Sequence, residues 1–83
     1  MNSTGIFKPE YYEDAKKISE FLSKEGSAIL DIRKIDEKTA TKIYDYVCGS
    51  AYAMGAYMGT IEKNLVMFSK SPITDLSPEY EEG

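Results

Sequence analysis

Apolar positions in this chain repeat at two periods. Near the start, Thr4 to Lys8 reads as a short strand, with Ile6 and Phe7 apolar and Pro9 ending it. Ala15, Ile18, Phe21 and Leu22 then recur at helical spacing. Glu10, Glu13 and Asp14 put negative charge where that helix begins, and Gly26 stands where a left-handed C-cap belongs. The first helix is therefore expected from about Tyr11 to Lys24. Ser27 to Arg33 returns to period two, with Ala28, Leu30 and Ile32 on one face and Ile29 on the other.

Asp36 is a good N-cap for a second helix. Ala40, Ile43, Tyr44, Val47, Ala51 and Met54 form its apolar stripe, and Tyr46, Gly49, Ser50 and Ala53 form a second surface of small and aromatic residues. A helix with two such sides packs against two things. One is its own sheet. The other is a partner subunit, or else more of the same domain. Tyr57 to Glu62 and Leu65 to Ser69 read as two strands joined near Lys63-Asn64, a hairpin. A short edge strand around Ile73 is a further candidate. The order β-α-β-α-β-β predicts an α/β (α+β) two-layer sandwich, with both helices packed on one face of a small mixed sheet. Its expected organisation is a flexible N-terminus at 1–4, a globular domain at 5–75 and an acidic flexible tail at 76–83.

Composition narrows the function classes. The chain has 83 residues, enough for one domain with a small core. Cys48 is the only cysteine, so self-association rather than disulfide bonding is the available source of extra stability. Ten basic residues stand against fourteen acidic ones, and the net charge of −4 disfavours binding to a phosphate backbone. No apolar run is long enough to span a bilayer, and Met1-Asn2-Ser3-Thr4-Gly5 lacks the features of a signal peptide.

Candidate chemistry is sparse. There is no histidine, hence neither the usual general base nor the commonest metal ligand. Asp31 and Asp36 fall near one another in sequence, but a strand end and a helix cap account for them. Cys48 lies in a helix with no base to activate it and reads as a structural thiol. Gly49, Gly55 and Gly59 do not separate a strand from a helix start, as a phosphate-binding loop requires. The expectation is a protein that is not an enzyme, with no metal and no cofactor.

The segment Ile43-Tyr44-Asp45-Tyr46-Val47-Cys48-Gly49-Ser50-Ala51-Tyr52-Ala53-Met54 resembles the helix signature of the SepF family. Pro9-Glu10-Tyr11-Tyr12-Glu13-Asp14-Ala15 is similar to that family's strand-to-helix junction, and Ser27 to Ile32 to its second strand. Gly59-Thr60-Ile61-Glu62-Lys63 resembles the Gly-Ser-Ile-Gln-Lys run that opens its hairpin. The likeness covers residues 5 to 73. It departs in a longer helix-to-strand link through Gly55-Ala56-Tyr57-Met58, a shorter turn after Lys63, and Lys42 where many members have arginine. The family's N-terminal amphipathic helix and linker have no counterpart in these residues.

The resemblance implies a cytoplasmic adaptor at the division site that forms a homodimer, extending to a higher polymer. It implies binding to the C-terminal tail of the tubulin-like filament protein FtsZ, so that division filaments are linked to the membrane. The candidate peptide site is Tyr46, Gly49 and Ala53 on the second helix with Ile61, Lys63, Val66 and Phe68 on the hairpin. Val66 and Phe68 are alternatives set by the hairpin register. Lys63 is either a partner for a peptide carboxylate or an ordinary turn residue. Gly49, Ser50 and Ala53 are the candidate dimer contact. A small dimerising ligand-sensing module and a purely structural self-assembling module remain the alternatives.

Overall fold

The computed structural model describes residues 3–73. Its elements are β1 (Ser3–Phe7), α1 (Asp14–Glu25), β2 (Gly26–Asp31), α2 (Glu37–Ala53), β3 (Tyr57–Glu62) and β4 (Leu65–Ser69). The sheet order is β1-β2-β4-β3, with β1 parallel to β2 and the other two pairs antiparallel. Both helices cover one face, giving the two-layer α+β arrangement that the alternating periods predict. The acidic tail and the greater part of any strand following Ile73 lie outside the described residues. Ile73 itself is not in a strand.

One core joins the layers. Ala15, Ile18 and Leu22 of α1 and Ala40, Ile43, Val47 and Ala51 of α2 pack over Ala28, Leu30, Val66 and Phe68 of the sheet. Pairing sets those strand residues side by side: Ala28 opposes Phe68, and Leu30 opposes Val66. Period two then sends Ile6, Ile29 and Met67 to the uncovered face.

Three local features place the ends of the elements. The helix α1 begins at Asp14 rather than Tyr11, because the chain after Pro9 first makes a turn. In that turn the Asp14 carboxylate accepts the backbone N–H groups of Glu10 and Tyr11, each at 3.1 Å. At its other end Gly26, with φ of 102°, is both the C-cap of α1 and the first residue of β2, so no linker intervenes. Asp36 caps α2 as expected, accepting the Thr39 N–H at 2.9 Å.

Candidate functional site

The β3–β4 hairpin turns at Lys63-Asn64, where Asn64 adopts φ of 64°, a conformation asparagine tolerates. Thr60 pairs with Val66 while Glu62 pairs with Leu65, so Ile61 is an extra residue in β3 and forms a bulge. The bulge lets Thr60 face the helices and Glu62 face the opposite side. The turn is tied to β2, because the Ile32 N–H donates to the Asn64 carbonyl at 2.9 Å.

This geometry opens a groove of about 470 Å³ between the hairpin and the N-terminal half of α2. Ile32, Ile35, Ala40, Tyr44 and Val66 form its apolar walls. Thr41, Thr60 and Asn64 supply neutral polar groups, and Glu37 and Lys63 supply charge. At the floor, Val66 is buried; Lys63 is exposed. The arrangement suits an extended peptide that inserts apolar side chains and sets a carboxylate against Lys63.

The seven residues expected for a peptide site separate in space. Lys63 and Val66 line the groove together. Phe68 is wholly enclosed in the core, at 0% exposure, and Ile61 projects at the bulge, partly exposed. Tyr46 sits on another face of α2, where its ring meets that of Tyr12 edge-on at 6.1 Å between centroids. Ala53 is exposed, and a Cβ added at Gly49 would meet nothing within 4 Å. The small surface of α2 is therefore not covered by the described residues of its own chain. Ser50, between them, is half-buried.

Ile35, Ala40, Thr41, Tyr44 and Thr60 belong to the groove but were not among the expected site residues. Ala40 and Tyr44 lie on the helix stripe that a sequence reading assigns wholly to the core. Ala40 is indeed buried in the core and also lines the groove, whereas Tyr44 is only partly buried.

Beside the groove, on the other side of the sheet, Arg33 holds two carboxylates. It donates from Nε and Nη2 to Asp31, each at 2.9 Å, and from Nη1 to Glu62 at 2.6 Å. The Arg33 side-chain hydrogen bonds hold the Asp31 carboxyl at a pKa of about 2 against partial burial, and the Arg33 backbone N–H adds to this. The network fixes the chain leaving β2 against β3. Cys48 offers its thiol to the Met58 sulfur at 3.6 Å, as does the Tyr44 hydroxyl. Burial pushes the Cys48 thiol up, the opposite of an activated nucleophile. Among the described residues no cluster of three or more His, Cys, Asp or Glu side chains is placed to hold a metal, and no helix is long and apolar enough to cross a membrane.

Comparison with known proteins places these features in a family. The family model described as "Cell division protein SepF" matches residues 5–73. A Cell division protein SepF of Clostridium beijerinckii is 32% identical over 68 residues, covering 82% of this chain and 45% of the relative. One from Heliobacterium modesticaldum is 27% identical over 74 residues, covering 89% of this chain and 45% of the relative. One from Desulfitobacterium hafniense is 25% identical over 77 residues, covering 93% and 50% respectively. The chain thus spans about half the length of the curated relatives it matches.

Proposed function

The chain belongs to the SepF family of cell division proteins, and from that premise we propose that it is a non-enzymatic adaptor whose groove takes the C-terminal tail peptide of FtsZ. The observation that carries the reading is the convergence of Lys63 from the hairpin turn with Val66, Ile35 and Tyr44 in one groove. Apolar walls supply affinity through a few enclosed anchors, and the rim lysine supplies orientation and charge selectivity. The exposed α2 surface at Gly49 and Ala53, beside the Tyr12–Tyr46 ring pair, is the contact for a second copy. Pairing two copies would present two grooves to a filament carrying many tails, which raises avidity without any new contact. Linking the filament to the membrane is then the task of a membrane-attached assembly that contains this domain.

Titration of a labelled FtsZ-tail peptide at two salt concentrations tests the groove. Lys63→Glu should weaken binding at low salt and matter less at high salt, because the side chain is exposed. Ile35→Ala should cost on the order of 1–2 kcal/mol of binding at both salt concentrations, as loss of an apolar wall contact around a buried anchor does. Equal affinity for both variants and the parent would place the site elsewhere, and no binding by the parent would remove the FtsZ reading.

A further inference from the structure

Asp75, Glu79, Glu81 and Glu82 are four of the fourteen acidic residues, and no basic residue follows Ile73. Residues 1–73 are therefore balanced at ten acidic and ten basic, and the whole net charge of −4 belongs to the last ten residues. That acidic segment also carries two large apolar side chains, Leu76 and Tyr80.

The groove complements it. Lys63 stands at the rim, and Ile35 is shared with a neighbouring cleft lined by Lys8 and Lys34. None of these three lysines has an ion-pair partner among the described residues. The acids nearby are Glu37 in the lining, Glu10 and Asp31 in the neighbouring cleft and Glu62 at the turn; Arg33 already holds Asp31 and Glu62, so three lysines face two remaining carboxylates, Glu37 and Glu10.

Chain length decides which part of the segment reaches. β4 starts beside the groove and leaves at the far end of the sheet, where the Lys70 N–H donates to the Gly26 carbonyl at 2.8 Å. Val66 and Tyr80 are each seven residues from Ile73, so at about 3.3 Å per residue extended chain gives Tyr80 a reach of at most about 23 Å back toward Val66. Leu76, three residues along, has a reach of only about 10 Å.

We propose that residues 79–82 of the chain's own tail dock in the groove, with the Tyr80 ring between Ile35 and Tyr44 and the flanking carboxylates facing Lys63 and Lys34. The tail then competes with the partner peptide. This competition rests on the reading of the groove as a peptide site; the docking itself does not. A tether of this length gives an effective concentration in the millimolar range, so even a weak contact occupies the groove much of the time.

The test uses the full chain at low concentration. Backbone amide spectra are compared for the parent, Tyr80→Ala, and the combined Glu79→Gln, Glu81→Gln and Glu82→Gln variant. The amides of Thr41, Thr60 and Asn64 should shift in both variants, while that of Glu20 on α1 stays in place. A labelled FtsZ-tail peptide should bind both variants about two- to fivefold more tightly than the parent, as expected for release of a tethered competitor. Groove amides unchanged in both variants would overturn the proposal. Parent groove shifts that vanish on dilution would also overturn it, since they would come from a second copy. If the groove amides shift but no form binds the peptide, tail docking stands and the FtsZ reading fails. If the peptide binds all forms equally and no groove amide moves, only the tail proposal fails.

Discussion

Asp31, which reads in the sequence as a strand end, is buried against Arg33 in the structure, and Asp36 keeps the helix cap that the sequence assigns it. Asp36 caps α2, and its pKa is lowered mainly by the Thr39 backbone N–H. Asp31 is gripped by Arg33 from two sides, and its pKa falls from 3.8 to about 2. A carboxyl whose folded pKa is depressed contributes stability that is fully present above its unfolded pKa and is lost as pH falls through the folded value. The parent should therefore lose stability between about pH 4 and pH 2 on this account. Asp31→Asn should be less stable than the parent at pH 7, by about 1–2 kcal/mol for a charge-assisted pair. It should lack that acid-range loss, so the two stabilities converge near pH 2. Urea denaturation across the pH range measures both effects, and a constant difference down to pH 2 would assign the effect to packing instead.

At the scale of elements, the helices and the hairpin were legible because each carries its own periodicity and its own stop signal. The close approach of α1 to β1 was not. A Cβ on Gly5 would lie 2.8 Å from the rings of both Phe7 and Phe21, which themselves meet edge-on at 5.1 Å between centroids. The glycine thus lets α1 lie close over the edge strand. Gly5→Ala should destabilise the fold by about 1–3 kcal/mol through overpacking. Gly5→Ala combined with Phe21→Leu, which removes the ring, should recover part of that. Thermal denaturation of the three proteins checks the claim; an innocuous single substitution would mean that the rings move aside freely. The bulge at Ile61 was equally hidden, because an extra strand residue leaves no mark in an apolar pattern that already tolerates isoleucine on either face.

For the whole molecule, the deciding surface is the one left uncovered on α2. Gly49 lies inside a helix, where glycine costs about 1 kcal/mol relative to alanine. Among the described residues it has open space around it, and no contact there requires its small size. The proposed second copy accounts for it. Gly49→Lys should leave the protomer folded, with a thermal midpoint at low concentration close to that of the parent, and should shift sedimentation from dimer to monomer. Retention of the parent's sedimentation behaviour would exclude this face as the contact. Because no described atom crowds the site, misfolding does not offer a second explanation for a monomer.

By itself the sequence determined the element order, the two-layer class, the N-cap at Asp36, the C-cap at Gly26, the hairpin turn and the family signature. These depend on neighbours along the chain, where periodicity, capping and turn preference act. It also pointed to Lys63 through a short matching run, and left Val66 and Phe68 as alternatives. Only the tertiary structure decided that Lys63 and Val66 share a groove with Ile35 and Tyr44, that Phe68 is sealed in the core, and that Tyr46, Gly49 and Ala53 lie on a different face. Those outcomes depend on the bulge in β3 and on how β2, β3 and β4 pair beneath α2. Both come from pairing distant segments, and one residue of register moves a side chain from groove to solvent.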